Sequence, residues 1–145
     1  MTQKIQQFIN DSFIARWSAL ILIALMMFFA YMFVDMISPL KELLDTTLGW
    51  DSSTFGTYAA SEYFLNVFCF FLIFAGIILD KMGIRFTGLL SASLMVIGAC
   101  IKFYAMSEYF VGTGLESWLG SWWVALPASA KLSCLGFMIF GCGCE

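Results

Sequence analysis

Two uncharged apolar runs, Tyr63 to Leu79 and Phe86 to Ile101, flank a charged corner, Asp80-Lys81-Met82-Gly83-Ile84-Arg85. Each run approaches the roughly 20 residues that a helix needs to cross the hydrocarbon layer of a bilayer. A link of about six residues between two such helices makes them antiparallel neighbours. The corner therefore predicts a membrane hairpin, with one carboxylate and two cations gathered at one membrane face.

Composition agrees with a lipid environment. Hydrophobic residues make up 61% of the chain and charged residues 12%, where soluble domains carry about 25% charge. Sixteen Phe and five Trp suit lipid-facing and interfacial positions. The chain has no histidine, which removes imidazole catalysis, histidine metal sites and histidine proton relays. Nothing in the charge pattern suggests nucleic acid, and the residues predict neither an enzyme, nor a metal, nor a cofactor. Five cysteines (Cys69, Cys100, Cys134, Cys142, Cys144) lie in apolar segments at spacings that fit no zinc site or disulfide framework. Cys142 and Cys144 fall about 200° apart around a helix, so they do not face one another. All five read as small packing residues.

The order of elements follows from the runs. Residues 1–16 place Ile5, Phe8, Ile9 and Phe13 at the spacing of a short amphipathic helix on the cytoplasmic surface. Helices are predicted at about 17–38, 55–79, 86–105 and 129–145. Tyr31 lies one turn before Asp35 on the first. Glu62, Asn66 and Cys69 share a stripe on the second, beside Tyr63. Gly88 and Ala92 form a small-xxx-small pair on the third, a common surface for close helix approach. Lys102, near the far end of that helix, is predicted to snorkel to the interface. Residues 107–130, with Gly112, Gly114, Gly120, Pro127 and three tryptophans, read as an interfacial or re-entrant segment. The last helix reaches Gly141-Cys142-Gly143-Cys144-Glu145 and reads as cut in mid-element. The tight cations, Lys4, Arg16, Lys81 and Arg85, flank one side, while Glu42, Asp45, Asp51, Glu108 and Glu116 occupy the other links. The positive-inside rule then predicts a cytoplasmic N-terminus.

Gly76, Asp80, Lys81, Gly83 and Arg85 together resemble the loop between helices 2 and 3 of the major facilitator superfamily, roughly Gly-x-x-x-Asp-Arg-x-Gly-Arg-Arg/Lys. Ile84 departs from it, since a second cation usually stands there. The resemblance implies an all-α membrane protein: the first three to four transmembrane helices of a twelve-helix major facilitator fold, with the fourth truncated. It also implies that the Asp80 corner is a gating motif. Gly141 to Glu145 is similar to the Gly-x-Gly-Gly-Glu run of the branch that contains lysosomal dipeptide transporters and bacterial relatives. Phe137 stands where that branch often has arginine. The branch implies that Glu145 binds a substrate amino group, with Asp35, Tyr31, Tyr63 and Asn66 as further solute contacts. The expected partners are the lipid bilayer, a small-molecule solute and the remaining helices of the full-length transporter. The expected place is a bacterial cytoplasmic membrane, which the chain crosses several times. Two other classes fit these residues less well. A four-helix membrane redox enzyme needs cysteines in an outer loop, and the outer links have none. A small four-helix protein, exporter-like or structural, would keep its acid near the middle of the first helix, whereas Asp35 is at the end.

Overall fold

The computed structural model describes residues 12–144, and the fold separates after Ile37 into two units. The first unit holds α1 (Phe13–Asp35). Ser12 caps it, its side chain accepting from the Ala15 N–H at 3.4 Å and so satisfying one of the donors that no helical carbonyl reaches. α1 starts at Phe13 and not near Trp17, and ends at Asp35. Of its 23 residues Ala30 is buried, and the large apolar side chains point outward on every side. A helix apolar all round belongs in lipid or in a core. The positions Ile5, Phe8 and Ile9 of the expected amphipathic helix lie outside the described residues.

The second unit begins with a 3-10 turn, Ser38–Leu40, and a short surface helix, α2 (Lys41–Leu48). Gly49 ends α2 in the left-handed region (φ 66°), which glycine occupies without a Cβ clash. Its N–H donates to Asp45 O at 3.1 Å, and Trp50 N–H donates to Leu44 O at 3.3 Å. Asp51 then caps α3 (Ser52–Phe68), accepting from the Thr54 N–H at 2.8 Å.

The stretch expected as one helix near 55–79 is divided. After α3 the chain breaks at Cys69 and Phe70, and α4 (Phe71–Met82) leaves at 59° to it. Phe70 takes φ 52°, a conformation that L-residues other than Gly and Asn/Asp rarely hold. Gly83 (φ 82°, ψ 164°) alone separates α4 from α5 (Ile84–Met106), so the link is tighter than its charge pattern suggested. A second 3-10 turn, Glu108–Phe110, and a short helix, α6 (Gly114–Gly120), follow, and α7 (Ala128–Cys144) completes the described chain. The segment 107–130 thus contains a capped helix: Thr113 Oγ1 accepts from Glu116 N–H, and Glu116 Oε2 accepts from Gly112 N–H at 2.5 Å.

All regular elements among the described residues are helical. Two stretches are long and apolar enough to cross a membrane, one within Phe13–Leu48 and the other α5; α3 and α4 count as a third if the bent pair is one span.

Within the second unit α7 packs against both α3 and α5, and most of its length is buried. The seam with α5 is made by glycines. A Cβ on Gly98 would lie 2.6 Å from Gly136 O and 2.6 Å from Phe140 N; one on Gly143 would lie 2.6 Å from Ser91 O. Gly88, expected to form the close approach with Ala92, is exposed with nothing near it. The approach runs instead along Ser91 and Gly98, two helical turns apart on α5, because these face the glycines of α7. Gly141 presses on the backbone of Glu62 in α3 in the same way.

Candidate functional site: a buried charge pair between three helices

Tyr58, Glu62 and Asn66 recur every four residues along α3, so they share one face. That face is buried: the three side chains are 2%, 4% and 3% exposed. α5 adds Lys102, 2% exposed, and α7 adds Phe137 and Phe140. The Lys102 ammonium lies 4.0 Å from the ring centre of Phe137, 5.4 Å from that of Tyr58 and 5.5 Å from that of Phe140. The Tyr58 and Phe137 rings stack at 4.7 Å with 14° between planes. Glu62 attracts the Lys102 charge through the same space.

Two opposite charges removed from water recover their desolvation cost only when they are close and well surrounded. The aromatic faces add about 0.5–2 kcal/mol of cation–π attraction for a desolvated ammonium. Glycine makes this enclosure possible. Gly98 sits one turn before Lys102, and its missing side chain lets α7 come near enough for Phe137 and Phe140 to close over the lysine.

Lys102 therefore does not snorkel to the interface. Its stem lies between Gly98 and Ala105, both buried, and the small flanking residues allow α7 to cover it. The spacing Gly98-x-x-x-Lys102-x-x-Ala105, a cation between small residues on one helical stripe, was the available signal in the sequence.

Polar atoms in this seam are incompletely satisfied. Asn66 Nδ2 donates to Gly141 O at 3.2 Å, and Ser91 Oγ donates to Gly143 O. Tyr58 Oη, Asn66 Oδ1 and Ser133 Oγ are buried without a hydrogen-bond partner among the described residues. At the end of the seam Trp50, fully buried, donates from Nε1 to Ser129 Oγ at 3.1 Å. Lys131 Nζ donates to Leu119 O at 2.7 Å and Trp122 O at 3.2 Å, which ties the end of α6 to α7.

The residues expected from sequence are distributed unevenly. Asn66 is in the seam, next to Gly141. Tyr63, on the same helix, is 50% exposed. Tyr31 and Asp35 are exposed on α1 in the first unit. Glu145 lies outside the described residues. Of the gating motif, Gly76, Asp80, Lys81 and Arg85 are exposed, and Gly83 forms the turn. Of the five cysteines, Cys134 is buried, Cys142 and Cys144 are half-buried, and Cys69 and Cys100 are exposed, so packing does not account for the last two. Outside the helices, hydrogen bonds from the Thr54 side chain and N–H hold the Asp51 carboxyl below the usual range. Among the described residues no group of three or more His, Cys, Asp or Glu converges as a metal site.

No protein family, curated protein or solved structure matches this chain.

Proposed function

We propose that the chain forms the N-terminal part of a secondary active or facilitative transporter that moves a small solute, a dipeptide or an organic anion, across a membrane by alternating access. The observation that carries this reading is the Glu62–Lys102 pair, both members buried where α3, α5 and α7 pack together. A charge costs at least about 2.5–3.5 kcal/mol at the centre of a membrane helix and less toward its ends, and ionisable side chains held inside such helices commonly mark solute or ion paths. In this reading the pair holds α3, α5 and α7 together in one transport state and loosens in another. The single-residue turn at Gly83, with Asp80, Lys81 and Arg85 around it, supports the resemblance to a major facilitator hairpin. Asp35, Tyr31, Tyr63, Asn66 and Glu145 remain solute-contact candidates on that resemblance. The protein would sit in a bacterial cytoplasmic membrane with its N-terminus inside.

The test is uptake by cells expressing the complete reading frame, measured with labelled dipeptides and organic anions. Saturable uptake that falls in Glu62→Gln while the protein stays in the membrane supports the reading. No saturable uptake of any tested solute, with the protein correctly inserted, overturns it.

A further inference from the structure

The surroundings of Lys102 have the composition of a receptor for an organic ammonium ion. Ammonium ligands are held over aromatic faces within about 6 Å of the ring centres, with a carboxylate supplying charge. Three rings at 4.0, 5.4 and 5.5 Å and the Glu62 carboxylate meet that description. The box is filled by the chain's own cation.

A fourth group is left over. Tyr58 Oη is buried and has no hydrogen-bond partner among the described residues, although it lies within electrostatic reach of Glu62. A lysine on a tether from α5 fills the box without satisfying this hydroxyl. A free ligand whose ammonium takes the place of Nζ has no such constraint and can present a second polar atom to Tyr58.

We propose that Tyr58, Glu62, Phe137 and Phe140 form a binding site for small alkylammonium compounds, and that Lys102 is a built-in competing ligand. An incoming ammonium exchanges with the lysine head group, one cation for another, so the charge of the site is unchanged. The lysine withdraws along its flexible stem, and the box is vacated only when a replacement arrives. This deepens the transport reading by naming the solute's recognised group. It is tested by binding, which does not depend on uptake.

The experiment uses the wild-type full chain in lipid nanodiscs. Lysine acetylation by a membrane-permeant anhydride is followed by mass spectrometry of the fragment that carries Lys102. Tetramethylammonium, which the reagent does not consume, is expected to raise labelling of Lys102 several-fold and saturably, leaving Lys41 unchanged. Sodium chloride at the same ionic strength is the control. In parallel, Lys102→Ala is expected to unfold at a lower temperature than wild type and to be restored by ethylammonium, which replaces the missing head group. Phe137→Leu in that background should abolish the restoration. Labelling of Lys102 that ignores tetramethylammonium overturns the exchange. If Lys102→Ala does not fold, the labelling of wild type decides alone.

Discussion

Gly98 of α5 and Gly136 of α7 meet backbone to backbone: a Cβ built on Gly98 would stand 2.6 Å from the Gly136 carbonyl oxygen. The nearest atoms are main chain, which cannot swing aside as a side-chain tip can. This contact sets how far Phe137 and Phe140 reach over Lys102.

Gly98→Ala should therefore separate α5 from α7. Overpacking of this kind costs about 1–3 kcal/mol. The expected result is a lower midpoint of thermal unfolding in nanodiscs. Gly88→Ala, at an exposed position on the same helix, should leave the midpoint within error. Equal effects at the two positions would contradict the packing described.

Asn66→Ala removes the hydrogen bond to Gly141 O. Measured hydrogen bonds between membrane helices average about 0.6 kcal/mol, with a maximum near 1.7. The loss should be smaller than that of Gly98→Ala, since packing outweighs one neutral hydrogen bond here. Unfolding midpoints of the two variants side by side check the order.

Removing one member of a buried pair strands the other charge, typically at a cost of about 3–5 kcal/mol. Glu62→Gln and Lys102→Met should each destabilise by an amount of that order. The double variant should cost clearly less than their sum, because neither charge is then left alone. A strictly additive double-mutant cycle would show that the two do not interact.

Asp51 gives a pH dependence with a defined sign. Hydrogen bonds from Thr54 depress its folded pKa. Its contribution is therefore complete above the ordinary carboxylate value and disappears as pH falls through the lower folded value. Wild type should lose stability across that acidic window. Asp51→Asn, an equally good helix cap, should lose less across it. Parallel acid titrations of unfolding midpoint test this.

The helix boundary at Gly83 was legible because its information is local: two apolar runs and a glycine between charges need no partner to be read. Asp51 and Thr113 begin helices, and Gly49 ends one, by chemistry that acts within four residues, yet the apolar pattern points to a start near 55 for the second helix and to an interfacial or re-entrant segment over 107–130. The buried pair left only the small residues Gly98 and Ala105 beside Lys102 as a local signal, because lysine near a helix end has the same sequence appearance whether it reaches water or lies under another helix. What decides is the approach of α7, and that depends on Gly98 and Gly136, which are remote in sequence. The stripe of Glu62 and Asn66 was visible, but its third expected member, Cys69, lies exposed at the break. Nothing local marks Phe70 as a break. It is an apolar residue in an apolar run, and only its backbone angles give it away.

That break has a consequence of its own. Counted as a single crossing, α3 and α4 interrupt their ladder at Cys69 and Phe70, so the closing carbonyls of one helix and the opening amides of the other are left in mid-passage. Hydrocarbon offers such dipoles nothing, and an interrupted backbone persists in a bilayer only against other protein or beside trapped water. A polypeptide bent in this way, with Cys69 and Phe70 exposed, needs either water or a further protein segment beside the break if it is to sit in lipid.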